Sequence, residues 1–193
     1  IMIDSLFNNL DRAKSSTIHS ELGLKLGHYG VITLHRPSNV DDAEAFEQII
    51  GALHEIGEKI PLVFPVHPRT EKRAEEFNLR TKLEAIPNIV LTGPIGYLDF
   101  IALTSNSKIV LTDSGGLQEE TTALRIPCIT LRENTERPIT VSEGTNQIVG
   151  NDPTKIIEAA NQALLSTVVE GSIPEKWDGR TAERIADIIQ NIE

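Results

Sequence analysis

Six short apolar runs punctuate the chain: Gly30–Leu34, Leu62–Val66, Ile89–Leu91, Ile109–Thr112, Cys128–Leu131 and Gln147–Val149. They are rich in Val, Ile and Leu, and most lack the polar alternation of a strand with one wet face, so as strands they must be covered on both sides. The intervening stretches supply the cover. Asp41–Glu58, Glu71–Phe77, Leu98–Thr104, Gly116–Leu124, Thr154–Leu165 and Thr181–Ile192 repeat apolar residues at helical spacing. Asp41–Glu58 is the clearest, with Ala45, Phe46, Ile49, Ile50, Leu53 and Ile56 on one stripe and Asp41 and Asp42 in a first turn that favours negative charge. Strand–helix alternation of this kind predicts a parallel, doubly wound α/β sheet of Rossmann-like type.

The bulk properties narrow the classes of partner. With 193 residues, 39% of them hydrophobic, the chain has the makings of one domain with a full core. No apolar run approaches a membrane span and no signal-peptide pattern opens the chain, so a cytoplasmic protein is the simplest account. The one cysteine, Cys128 in "RIPCITL", excludes an intrachain disulfide and a multi-cysteine metal site, and reads as a buried small hydrophobe. A net charge of −10 without a Lys/Arg cluster argues against a nucleic-acid surface. An anionic ligand would have to be held by local groups, single arginines and helix N-termini, against an unfavourable overall field. "IMIDSLFNNLDRA" starts inside a helix-like pattern without an initiator methionine, which suggests a longer parent. Residues 1–26 are expected to form an N-terminal helical segment, 27–172 the Rossmann-like domain, and 173–193 a loop and a last helix.

In doubly wound sheets ligands gather at the C-terminal strand ends, and the polar residues here cluster at those places. His35, Arg36, Ser38 and Asn39 follow the first run; His67, Arg69 and Thr70 follow the second; "TGPIGYLDF", "DSGG" and "RENTERP" follow the next three. Asp113-Ser114-Gly115-Gly116 is either a tight left-handed turn with Asp113 or Ser114 as N-cap, or a turn whose bare glycines let a phosphate reach helix N–H groups. His35 and His67, each with an arginine within two residues, are structural hydrogen-bonders or members of one shared site. A third metal ligand beside them is not evident. Glu119 and Glu120 fit a solvated helix face or a ribose-binding carboxylate. Phe100 fits the core or the face of a base, and Arg137 fits a diphosphate or a surface pair with Glu133 or Glu136.

Taken together, "VITLHRPSNVDD", "FPVHPRT", "GYLDFIALTSNSKIVLTDSGGLQEET", "LRENTERPITVSEGTNQIVG" and "DGRTAERI" resemble, in order and over nearly the whole chain, the non-hydrolysing UDP-N-acetylglucosamine 2-epimerases. The resemblance implies the UDP-binding, C-terminal half of a two-domain GT-B architecture, with a cytoplasmic, homodimeric parent and no cofactor. It implies His35 as the active-site histidine. Arg36, His67 (near the diphosphate or an effector), Phe100 beside the uracil, Ser114, Gly115 and Gly116 at the phosphates, Glu120 at the ribose and Arg137 are implied as UDP-binding residues. The family's reaction is inversion at C2 of UDP-GlcNAc to UDP-ManNAc, by anti elimination of UDP and re-addition to the glycal. Its acid/base carboxylates lie in the first domain, so this chain is expected to bind UDP weakly and to lack epimerase activity alone. A hydrolysing 2-epimerase, an epimerase of a modified sugar, a GT-B glycosyltransferase and a nucleotide-sugar-binding module are the alternatives. The resemblance departs at Trp177, where the family often has glycine, and no function is inferred from the loop Ser172–Gly179.

Overall fold

The computed structural model describes residues 1–191. The chain opens with helices α1 (Met2–Ala13) and α2 (Ile18–Glu21), then alternates strands and helices. In order these are β1 (Gly30–Thr33), α3 (Pro37–Val40), α4 (Ala43–Gly57), β2 (Leu62–Pro65), α5 (Pro68–Glu76), α6 (Arg80–Glu84), β3 (Ile89–Thr92), α7 (Tyr97–Ser105), β4 (Ile109–Thr112), α8 (Gly115–Leu124), β5 (Cys128–Thr130), α9 (Ile139–Ser142), β6 (Asn146–Ile148), α10 (Pro153–Leu165) and α11 (Thr181–Gln190). The sheet has the order β3-β2-β1-β4-β5-β6, and every pairing is parallel. The strand order therefore reverses between β1 and β4, and their C-terminal ends open a crevice there.

Successive strand residues feed opposite cores. Ile32, Leu62, Phe64, Leu111 and Ile129 join the stripe of α4 and residues of α10, whereas Val31, Val63 and Val110 join α1, α7 and α8. Of the expected α4 stripe, Phe46, Ile49, Ile50, Leu53 and Ile56 are buried and Ala45 is half-buried, while Ala52 and Gly57 are buried as well. The helix nevertheless begins two residues late. Asp42 is its N-cap, accepting from Ala45 N–H at 2.9 Å, and Asp41 sits outside, paired with Arg69 and Arg73 of α5. Prolines at the first helical position pull the starts of α5 and α10 forward, to Pro68 and Pro153. Cys128 is buried in β5, and desolvation lifts its thiol to about 11, so it behaves as a small hydrophobe.

The first helix meets the start of the last one. Asp4 of α1, nearly buried, accepts from Ala182 N–H at 2.8 Å and so caps α11 from across the sequence. Gly179, at φ +78°, lies against Phe7, and a Cβ there would stand 2.7 Å from the ring. The predicted helix Thr181–Ile192 is seen as Thr181–Gln190; Ile192 and Glu193 lie outside the described residues. α11 carries Ile185, Ile188 and Ile189 exposed.

Candidate functional site

A cavity of about 400 Å³ sits over the β1/β4 crevice, a volume suited to a small ligand. Its lining unites His35, His67, Phe100, Ser114, Gly116 and Glu120, with Tyr97, Leu117 and Met2 alongside. Of the remaining expected site residues, Gly115 lies in the first turn of α8, one residue from the lining. Arg36 lines a neighbouring depression with Arg132, and Arg137 lies beyond the lining, 3.0 Å from Glu119.

Asp113, weighed from the sequence only as a possible N-cap of α8, organises the crevice instead, and Ser114 is the N-cap. It follows β4 directly and is wholly buried. Its carboxylate accepts from His35 N–H at 2.9 Å, Arg36 N–H at 2.8 Å and Asn39 Nδ2 at 3.2 Å, and it stands 2.9 Å from His35 Nδ1. Burial alone would raise its pKa, but the His35 ring and the two backbone donors outweigh that and hold it below the usual value. The signal available in the sequence was position: an acid one residue past β4, opposite the polar end of β1.

The turn Ser114-Gly115-Gly116 is not left-handed. Ser114 is the N-cap in extended conformation (φ −84°, ψ 128°), and neither glycine has positive φ. Glycine is therefore not demanded by the backbone here. At Gly115 a Cβ would meet only Glu136 Oε2, at 3.6 Å, while at Gly116 it would meet the mobile end of Met2 at 2.9 Å. The Ser114 hydroxyl makes no cap hydrogen bond, the first turn holds no acidic residue, and Asp113 is committed to the β1–α3 loop. The first-turn amides of α8 and the positive end of its dipole are thus left for an outside acceptor.

The two histidines are held differently. Their rings lie 5.4 Å apart. His67 is the N-cap of α5 and accepts from Arg69 N–H through Nδ1, at 3.1 Å, which leaves Nε2 as its donor. Glu120 is bonded by the Tyr97 hydroxyl at 3.2 Å, and burial raises its pKa. Arg137 pairs with Glu119, not with Glu133 or Glu136; Arg132 takes Glu136 with two guanidinium nitrogens. The loop carrying Arg137 is pinned to α8 because Thr135 Oγ1 donates to Gln118 Oε1 at 2.5 Å and accepts from Arg137 N–H at 2.9 Å. Glu120 is the only carboxylate among the described residues that line the cavity. Among the described residues no group of three or more His, Cys, Asp or Glu could hold a metal ion, and no helix is long and apolar enough to cross a membrane.

A doubly wound sheet in this order, with its cavity at the reversal, places the chain among the Rossmann-like α/β proteins. Within them it belongs to the UDP-N-acetylglucosamine 2-epimerase family, whose model matches residues 1–190. A UDP-N-acetylglucosamine 2-epimerase of Methanocaldococcus jannaschii is 44% identical over 163 residues, covering 83% of this chain and 44% of the relative. The crystal structure of the Methanocaldococcus jannaschii UDP-GlcNAc 2-epimerase in complex with UDP-GlcNAc and UDP superposes with a TM-score of 0.85 at 38% identity, over 98% of this chain and 52% of that one. A UDP-2,3-diacetamido-2,3-dideoxy-D-glucuronate 2-epimerase of Pseudomonas aeruginosa is 36% identical over 162 residues, covering 83% of this chain and 44% of the relative. The chain thus spans about half the length of the curated relatives it matches.

Proposed function

We propose that the β1/β4 cavity holds the UDP moiety of a nucleotide sugar, and that this chain is the nucleotide-holding, C-terminal half of an enzyme interconverting UDP-GlcNAc and UDP-ManNAc. The carrying observation is the uncapped N-terminus of α8 at the switch point, lined by Ser114 and Gly116 and faced by two histidines. In this arrangement the diphosphate takes the α8 amides and the Ser114 hydroxyl, with His67 Nε2 as a further donor. Glu120, one helical turn on, exchanges the Tyr97 hydroxyl for the ribose hydroxyls. Phe100 lies beside the uracil, and Arg36 and Arg137 add positive charge from the flanking loops.

Elimination of UDP across C1 and C2 makes two demands: removal of an unactivated proton and stabilisation of a departing diphosphate. The groups above meet the second. Each charge–dipole contact at a helix N-terminus is worth about 0.3–1 kcal/mol, and more when buried. The first demand needs a base, and the one carboxylate in the lining is assigned to the ribose. Following the family resemblance, which puts the acid/base carboxylates in the first domain, we assign them to a preceding domain, docked on the exposed Ile185, Ile188 and Ile189 of α11. Residues 27–172 hold the nucleotide in this scheme. UDP-GlcNAc is incubated with this chain alone and with a chain carrying the preceding domain, and the sugar is followed by NMR. UDP-ManNAc is expected only in the second; turnover by the chain alone would contradict the division of labour. The Pseudomonas aeruginosa relative supports a second substrate, a diacetamido uronic acid on the same UDP. Faster turnover of that sugar would select it.

A further inference from the structure

We propose that Asp113 is a positioning residue for this site, fixing the His35 imidazole with its proton on Nδ1 and leaving Nε2 to meet the substrate. The inference rests on the proposed role of the cavity only for what Nε2 then meets; the placement itself stands on geometry. An ionised carboxylate is acceptor-only, so the ring nitrogen 2.9 Å from Asp113 Oδ1 is the one carrying hydrogen. The carboxylate is not free to turn away, because His35 N–H, Arg36 N–H and Asn39 Nδ2 hold it, and Asn39 is itself buried and tied to the Leu131 carbonyl at 2.8 Å. One buried side chain just past the end of β4 therefore fixes both the backbone of the β1–α3 loop and the tautomer of the histidine at its head.

His67, 5.4 Å away, has the opposite arrangement, with Nδ1 accepting from Arg69 N–H. The two rings thus present unlike nitrogens to the same cavity: an acceptor from His35, able to take a proton, and a donor from His67, able to hold an oxyanion. Without Asp113 the His35 ring would be free to adopt the donor form, and both histidines would offer N–H.

The test is ¹⁵N NMR of the imidazole nitrogens in this chain at alkaline pH, where the neutral rings report their tautomers. The wild type is expected to show His35 mainly as Nδ1–H and His67 mainly as Nε2–H. In Asp113→Asn the new amide offers its own N–H toward the ring, and His35 is expected to change to mainly Nε2–H. Asn39→Ala removes a donor to the same carboxylate without touching the ring and is expected to leave His35 as Nδ1–H. His35 found mainly as Nε2–H in the wild type, or unchanged in a folded Asp113→Asn, would overturn the proposal. If Asp113→Asn does not fold, the wild-type and Asn39→Ala spectra decide it. A parallel titration of the wild type with UDP separates the two claims, since failure to bind UDP removes the nucleotide assignment and leaves the tautomer result standing.

Discussion

The two edges of the sheet differ in a way that volume alone would misjudge. The larger depression, about 880 Å³, lies at the N-terminal strand ends, lined by His28, Lys59, Ile60, Pro61, Lys108, Asn161 and Leu165. Its cations are occupied: Lys59 donates to Asn161 Oδ1 at 2.7 Å, and Lys108 to the Ser166 carbonyl at 2.8 Å. The C-terminal edge has under half that volume but a buried ionised acid, two oriented histidines and a helix N-terminus without a cap. The cause is topological. In a parallel sheet each following helix begins at the C-terminal strand ends, so the free N–H groups and positive dipole ends accumulate on one side. Anion chemistry belongs to that side even in a chain of charge −10.

Substitutions can break the contrast, beginning with the largest effect. Asp113→Leu leaves the His35 and Arg36 amides without their acceptor and is expected to cost about 2–4 kcal/mol in urea unfolding. Because its folded pKa is lowered, the stability Asp113 contributes is complete above its ordinary 3.8 and is lost as pH falls through the depressed value. The gap between wild type and variant should therefore narrow in strong acid; a gap that stays constant would deny the carboxylate its charge.

Gly115→Ala separates ligand approach from folding. The added methyl has room in the protein, and alanine is the better helix former, so stability is expected to hold or rise by up to about 1 kcal/mol. UDP affinity measured calorimetrically should nonetheless fall about tenfold, or 1.4 kcal/mol. Unchanged affinity would move the phosphates away from α8.

Glu120→Gln tests the pocket's effect on its one carboxylate. Burial raises the folded pKa above 4.5, so the ionised side chain penalises the fold. The penalty is absent in acid and grows as pH rises through the raised value. The variant should melt with the wild type at low pH and above it at neutral pH, while losing discrimination between UDP and its 2′-deoxy analogue. At the other edge, Lys108→Ala should change stability by no more than about 0.5 kcal/mol and leave UDP affinity within about twofold.

Much of this was legible in the sequence, for physical reasons. The central strands β1, β2, β4 and β5 are buried on both faces and stand out as apolar runs, and the edge strand β6, with Gln147 exposed, still starts only one residue from expectation. The helices α3, α6 and α9 escaped, since four or five residues cannot display a 3.6-residue period. Asp41 was misplaced in the first turn of α4 because its partners Arg69 and Arg73 come from α5, a contact no local pattern carries. The same blindness offered only Glu133 and Glu136 as ion partners for Arg137, whereas the pair it makes is with Glu119 of α8. Asp113 stood inside the glycine turn that drew attention, yet its role depends on His35, 78 residues earlier. Residue types at strand ends were visible; which of them touch was not.

The central claim is that a nucleotide diphosphate binds at the C-terminal edge between β1 and β4. ¹H–¹⁵N chemical-shift mapping during a UDP titration of this chain tests it most directly. The largest shifts are expected at the backbone amides of Gly115, Gly116 and Leu117, with His35, His67 and Glu120 following and Lys59, Lys108 and Asn161 unmoved. Shifts concentrated at those last three residues, or none anywhere at saturating UDP, would contradict it.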